Sequence, residues 1–400
     1  MVPMQLIRQP KFNLQQRPFM VIWETTQACD LACKHCRAES QNDHNPLALS
    51  YHEGKNLVDQ ILAFGEPRPL FIMTGGDPFK RDDIFDLASY ASEKRLPVAI
   101  SPSGTPLLNQ TNLQRLKDAG CKVISLSLDG SNSDIHDTFR GVPGSFDWTV
   151  NGWKIAQSLG IKIQVNTTVT RYNLMDLPDI FALVRQIGVM TWSVFFLVPT
   201  GRGLTEDEIT PQDYEAVMNF LYDASKFIGI KTTEGHHYKR IVLQRAYLEA
   251  NGLPVKQYID INDTYDALMK GLNRVAPMPP THHNPDRIRR APLHVNAGDG
   301  FVFISLLGEV FPSGYLPVSA GNVRITSLSE IYQLSPLFRS LRNKDSLKGR
   351  CGKCEFNPVC GGSRSRAYAM TGDALAEEPY CSYQPGTFPF SREIPELCGV

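Results

Sequence analysis

Cys29, Cys33 and Cys36 stand in the run Cys-Asp-Leu-Ala-Cys-Lys-His-Cys, and no fourth cysteine lies nearby. Three thiolates are the informative number. A structural zinc site closes with four ligands, whereas a 4Fe–4S cluster held by three cysteines keeps one iron open to a small molecule. The alternative is zinc with His35 as fourth ligand; His35 lies between two of the thiols, too close to wrap one ion comfortably. A second group, Cys351, Cys354, Cys360 and Cys381, supplies four thiols. Four can close a zinc ribbon or ligate a second iron–sulfur cluster completely, and spacing alone leaves both open. Of the remaining cysteines, Cys121 precedes an apolar run and reads as a small buried hydrophobe, and Cys398 lies in the tail.

The elements that must position these thiols alternate between short apolar β-rich runs and helical stretches. Strands are expected near 19–23, 70–73, 97–101, 122–128, 161–169 and 191–198. Ser50 with Glu53 forms a capping box ahead of one helix, and Gly120 ends another. Such alternation builds a parallel sheet with right-handed crossovers. Six units are too few for a closed eight-fold barrel; they suit an open sheet or a partial barrel, with chemistry on the loops after the strands. The first cysteine loop follows the first strand. Thr74-Gly75-Gly76-Asp77-Pro78 follows the second, where paired glycines allow close backbone approach and a carbonyl or Asp77 can accept from an ammonium group.

Thr210 and Pro211 open a helix towards Ile228. Residues from about 250 to 292 read as an irregular connector rich in Pro, His and Arg (Pro277, Pro279, Pro280, His282, His283, Arg287, Arg289 and Arg290), with a boundary near 290. Beyond it, 301–306, a turn at Gly308 and 310–311 read as a hairpin.

This cysteine spacing after the first strand, with a Gly-Gly-acid-Pro loop after the second, resembles the radical S-adenosylmethionine (AdoMet) superfamily over about residues 17–225, with Asp77 where Glu is commoner. The resemblance implies an α/β fold, a partial (β/α)6 TIM-like barrel. It also implies a 4Fe–4S cluster on Cys29, Cys33 and Cys36 whose open iron takes AdoMet, and one-electron cleavage to a 5′-deoxyadenosyl radical. By the same resemblance Gly75, Gly76, Asp77 and Pro78, then Ser101 and Ser103, Ser127 and Asp129, Asn166 and Thr168, and Leu197 to Pro199 line the cofactor or substrate cavity. Ser and Thr are equally common turn formers. Arg140 would clamp the cofactor carboxylate, or else pair on the surface with Asp134 or Asp137.

Arg350-Cys351-Gly352, Cys360-Gly361-Gly362-Ser363-Arg364 and Glu377-Glu378-Pro379-Tyr380-Cys381 resemble SPASM or twitch-type auxiliary-cluster domains. They are similar in particular to the radical enzymes of siroheme-dependent heme synthesis and nitrite-reductase heme assembly, with Ser363 where those often carry another cysteine. The resemblance implies two 4Fe–4S clusters, a tetrapyrrole carboxylate substrate and an electron donor such as ferredoxin or flavodoxin. Between Arg339 and Arg366 eight basic residues face Asp345 and Glu355. This excess would compensate thiolates, attract propionates through Arg364 and Arg366, or form a solvated face. The expected division is an N-terminal extension 1–18, a core 19–228, a bridging region 229–290 and an auxiliary domain 291–400. Two rivals remain. A maturase of a ribosomally made peptide often carries a leader-binding domain, for which about 18 residues are too few. A non-catalytic zinc or iron–sulfur electron carrier leaves the Gly75-Gly76 loop unused.

The 400 residues, 42% hydrophobic and 20% charged, have an ordinary globular composition. Forty-one basic and 41 acidic side chains cancel, which gives no global field for nucleic acid or an anionic membrane. No apolar run approaches the ~20 residues of a membrane span, and the first 18 residues lack a signal-peptide stretch, so a cytoplasmic location is expected.

Overall fold

The computed structural model describes residues 6–276 and 293–394. Six strands form close to the expected runs: β1 (Met20–Glu24), β2 (Leu70–Thr74), β3 (Val98–Ile100), β4 (Val123–Ser127), β5 (Lys162–Val169) and β6 (Thr191–Phe196). They pair in parallel, each with the next. Helices α1 (Tyr51–Leu62), α2 (Ile84–Glu93), α3 (Gln110–Asp118), α4 (Ser133–Arg140), α5 (Ser145–Ser158) and α6 (Leu177–Ile187) supply the crossovers. Both halves of the Ser50–Glu53 capping box are made at α1.

Two further parallel strands were not foreseen in that arrangement. After α7 (Pro211–Ala224), β7 (Ile230–Thr233) adds beside β6. Beyond a short β8 (Asn296–Ala297), β9 (Gly300–Ile304) adds in parallel beside β1. β9 also opens the expected hairpin with β10 (Glu309–Phe311), which pairs with β11 (Gly321–Asn322). The expected six-stranded core is present and is extended by one strand at each edge, so that eight parallel neighbours run β9-β1-β2-β3-β4-β5-β6-β7. β7, beyond residue 228, and β9, beyond residue 290, hydrogen-bond into the same sheet as β1 to β6.

The stretch from 250 is not wholly irregular either. After α8 (Tyr238–Ala250) and α9 (Val255–Tyr258), α10 (Asp263–Val275) buries Leu268 and Leu272 and packs on α6 and α7. Asn262 caps it, and Arg274 pairs with Asp179 of α6. Tyr265, Leu268, Met269 and Leu272 do follow helical spacing. The Pro, His and Arg run from Pro277 to Arg290, the boundary near 290 and Cys398 lie outside the described residues. The C-terminal segment adds α11 (Leu328–Leu334), α12 (Pro336–Arg342), α13 (Gly349–Lys353) and α14 (Arg364–Thr371). The N-terminal segment is tied to it: the Leu14 carbonyl accepts from the Tyr332 hydroxyl, and that of Gln15 from Arg342.

The period of two along each strand decides which side chains can reach a ligand. Val21, Trp23, Phe71, Met73, Ile124 and Leu126 point outward and are buried beneath the helices. The alternate residues line an internal cavity of about 720 Å³. Its walls are apolar at the strand starts (Met20, Leu70, Val123) and polar at the carboxyl ends (Thr74, Ser101, Ser127, Thr168). No helix among the described residues is long and apolar enough to cross a membrane.

Candidate active site

Cys29, Cys33 and Cys36 line the polar end of this cavity. Their loop is clasped by backbone contacts from several strand ends. Gly76 N–H donates to Thr26 O and Asp77 N–H to Ala28 O, both at 2.7 Å. A Cβ on Gly75 would lie 2.4 Å from Thr26 O, and one on Gly76 would lie 2.4 Å from Ala28 O. The glycine pair thus exists because two backbones touch. Across the loop, Ala32 N–H donates to Arg140 O at 3.1 Å and Lys34 N–H to Phe139 O at 3.0 Å. After β6, Arg202 N–H reaches Cys36 O at 3.0 Å, and its guanidinium reaches Cys33 O at 2.9 Å. Gly201 and Arg202 were missed in the sequence; a Gly-Arg-Gly run directly after the sixth strand was the available signal.

Each thiol has its own electrostatic setting. Burial pushes Cys29 up to about 11, against donation from Leu31 N–H at 3.4 Å and the Ser103 hydroxyl 3.5 Å away. Burial also raises Cys33, opposed by the Arg140 guanidinium 3.6 Å from its sulfur. At Cys36 burial raises the value, but donors of Ser40 and the nearby Arg202 outweigh it and the thiol ends below its ordinary value. N–H and cation donors aimed at sulfur suit anionic thiolates.

Ser101, Ser103, Ser127, Asn166, Thr168 and Arg140 line the cavity with Gly75 and Gly76. Asp77 does not: it is buried, and its carboxylate accepts from Thr105 Oγ1 at 2.7 Å and Phe79 N–H at 3.2 Å. It therefore braces the loop instead of facing an ammonium group, and Pro78 opens the short turn that it caps. Leu197 is also corrected. It is buried outside the cavity lining, and its carbonyl accepts two bonds from Arg366, at 2.8 and 3.1 Å.

Arg140 pairs with neither Asp134 nor Asp137 but with buried Asp129, which also accepts from Thr168 N–H at 2.7 Å. Asp137 instead accepts from Gly144, Ser145 and Phe146. Arg140 Nε is buried without a partner, a donor left over at the cavity wall.

Cys351, Cys354, Cys360 and Cys381 line one smaller cavity with His237, Arg240 and Arg350. Gly362 N–H donates to Cys360 Sγ at 3.4 Å and Glu378 N–H to Cys351 Sγ at 3.3 Å. Burial pushes Cys354 and Cys381 each up to about 12. All seven thiols are unpaired, as is Cys121, which is buried against the Val98 and Val123 carbonyls. No three His, Cys, Asp or Glu side chains among the described residues are grouped to hold a metal ion. A zinc site needs donors about 2.3 Å from one ion, whereas the thiolates of a cluster bind separate irons. The donor sets fit such clusters: free thiols on one cavity wall, met by N–H groups and arginines.

Arg364 and Arg366 are corrected as propionate contacts. Both are buried; Arg364 donates to Ala374 O and Ala376 O, and Arg366 is held by Glu208 and Glu378. Besides Arg140, the cations that line the large cavity are Arg8, Arg37, Lys231 and Lys239, none of these four singled out by the sequence.

Residues 23–184 match the radical SAM superfamily model, and the chain belongs to that superfamily as an enzyme. It is 39% identical over 371 residues to the AdoMet-dependent heme synthase of Methanosarcina barkeri, covering 92% of this chain and 97% of that one. It is 42% identical over 370 residues to a protein of the same name from Nitratidesulfovibrio vulgaris, covering 92% of each. Among solved structures, Streptococcus suis SuiB bound to precursor peptide SuiA shares the fold at TM-score 0.65 and 16% identity, over 92% of this chain and 76% of that one. Membership implies a 4Fe–4S cluster and AdoMet.

Proposed function

We propose that this enzyme removes hydrogen from carboxylate side chains of a tetrapyrrole, with Cys29, Cys33 and Cys36 holding the radical-generating cluster and Cys351, Cys354, Cys360 and Cys381 holding a second 4Fe–4S cluster. One observation carries the reading: a chain similar over most of its length to heme synthases encloses a cavity of about 720 Å³ with four cationic side chains besides Arg140 in its lining. That volume lies within the range of small-molecule sites. When bound, the groups supply a 5′-deoxyadenosyl radical at the three-cysteine end and a one-electron acceptor at the four-cysteine end.

The chain's own residues do the rest. Arg140, with its unpartnered Nε, binds the AdoMet carboxylate. The Gly75-Gly76 backbone takes its amino group, and Ser101, Ser103, Ser127 and Asn166 line its berth. Lys231, Lys239, Arg8 and Arg37 hold substrate carboxylates as point charges or guanidinium forks. The apolar strand starts at Met20, Leu70 and Val123 keep water from the reacting carbon. An acidic carrier of the ferredoxin or flavodoxin kind supplies the electron.

Anaerobic incubation with AdoMet, reductant and iron-coproporphyrin tests this. The expected result is 5′-deoxyadenosine together with a product about 44 mass units lighter for each carbon dioxide lost. No tetrapyrrole binding below about 100 µM, near −5.5 kcal/mol, together with modification of a small precursor peptide, would replace it with the maturase reading.

A further inference from the structure

Beyond β7 the chain makes a short loop held from every side. Glu234 has a left-handed φ of 55°, unusual for a non-glycine residue. Its carboxylate accepts from the hydroxyls of Ser313, Ser363 and Ser365, and its carbonyl accepts from Arg366 at 3.0 Å. Gly235 follows where a Cβ would lie 2.4 Å from the Phe196 ring, and its carbonyl accepts from Thr232 Oγ1 at 3.1 Å. Strain retained by so many ties marks a loop built to present something.

What it presents is His236. This residue lines the large cavity and is half-buried, and its imidazole has no hydrogen-bond partner among the described residues. Of the other cavity histidines, His136 Nδ1 accepts from Asp129 N–H at 3.1 Å, and His35 stacks on Phe139 within the cysteine loop and leaves its buried Nδ1 without a partner. Burial, with Lys239, Lys344 and Arg364 around it, holds the His236 imidazole well below its ordinary value. It is therefore neutral, with a lone pair to give. Lys239, three residues on and also lining the cavity, donates its ammonium to Val295 O at 2.9 Å.

We infer that His236 is an axial ligand to the iron of the tetrapyrrole substrate, with Lys239 beside it to meet a propionate. This rests on the tetrapyrrole reading above. Imidazole is a standard axial ligand for such iron, and a rigid loop fixes which face and which edge of the ring meet the barrel mouth.

The test uses reconstituted holoenzyme, anaerobically, titrated in parallel with ferric iron-coproporphyrin and metal-free coproporphyrin. In the native enzyme the iron chelate should bind about tenfold or more tightly than the free macrocycle, with the absorbance and electron paramagnetic resonance signature of imidazole ligation. His236→Ala should lose that signature and reduce the preference to within about twofold. Added free imidazole should restore the signature, which a folding defect would not allow, while free-macrocycle affinity stays unchanged. An unchanged spectrum in His236→Ala, loss confined to His35→Ala, or equal binding of the two macrocycles by the native enzyme overturns this inference and leaves the tetrapyrrole reading standing. If neither macrocycle binds the native enzyme, both readings fall.

Discussion

Cys29, Cys33 and Cys36 sit on one loop whose shape is imposed by backbone beyond β2 and β6 and at the end of α4, whereas the four C-terminal cysteines are gathered from α13, the turns that follow it and the segment after α14. Around the first group the chain uses glycine. Gly75, Gly76 and Gly201 stand where a methyl group would strike the loop's carbonyls at 2.4 Å. Around the second it uses charge, with Arg240 and Arg350 lining the cavity and Arg364 donating to Cys351. The first group opens on about 720 Å³ of space; the second faces a much smaller cavity lined by Arg240, Arg350, Phe356 and Tyr383. Three thiols beside a large void leave room for a reacting molecule. Four thiols around a small cavity leave no comparable room.

The largest effect that would separate the two regions is on AdoMet cleavage. Replacing Cys29, Cys33 or Cys36 with Ala should lower 5′-deoxyadenosine release by about a thousandfold or more, about 4 kcal/mol in barrier. Replacing Cys351, Cys354, Cys360 or Cys381 should leave cleavage in the absence of substrate within a few-fold and abolish product. Cys121→Ala should leave both. Iron analysis should fall from about eight atoms per chain to about four in either cysteine variant. Equal loss of cleavage in both groups would break the division between a roomy and a small site.

A smaller contrast sharpens the glycine argument. Gly201 has φ +59° and its Cβ would lie 2.4 Å from Cys36 O; Gly372, ending α14, has φ +76° with nothing within 4 Å. Gly372→Ala should cost about 1 kcal/mol of stability and leave turnover unchanged. Gly201→Ala should cost about 1–3 kcal/mol and slow AdoMet cleavage by about ten- to a hundredfold, because the cluster loop must shift. Urea midpoints and 5′-deoxyadenosine rates on both variants check this. Equal rates would mean that the loop's position does not depend on its clasp.

What could be read in advance follows from the range of each interaction. The cysteine triad, the glycine pair and the strand-helix alternation are local patterns, and β1 to β6 formed within two residues of the expected runs at either end. Arg140 shows the limit. Asp134 and Asp137 are its neighbours in sequence, yet its partner is Asp129, which lies against it only once α4 folds back on β4. Arg364 and Arg366 read as surplus positive charge because Glu208, Glu234 and Glu378 come from other parts of the chain. Asp77 sits one residue past the glycines and turns inward to Thr105, a choice made by tertiary packing. β9 is legible as half of a hairpin, but its place beside β1 is a pairing almost three hundred residues long in sequence and leaves no local trace.

The smallest effect lies at the seam between the two regions, where Arg366 of α14 meets Glu208 after β6. One guanidinium there serves two buried carboxylates: Glu378 at 3.1 Å and Glu208 at 3.4 Å, the latter also accepting from the Tyr214 hydroxyl at 2.7 Å. Burial pushes the Glu208 carboxyl from 4.5 up to about 7, against the pull of Arg366 and the Tyr214 hydroxyl and aided by the charge of Glu378. A carboxyl raised in this way binds a proton on folding between those two values. Its contribution is full below pH 4.5, declines as pH rises to about 7 and is flat above. Stability measured by urea unfolding should therefore fall between pH 4.5 and about 7, and Glu208→Gln, which keeps the shape and removes the titration, should reduce that fall by about 1–3 kcal/mol. An identical pH dependence in the native chain and Glu208→Gln would show that the seam carries its full charge throughout, and that the barrel and the C-terminal cysteine region are joined by packing and not by a shared proton.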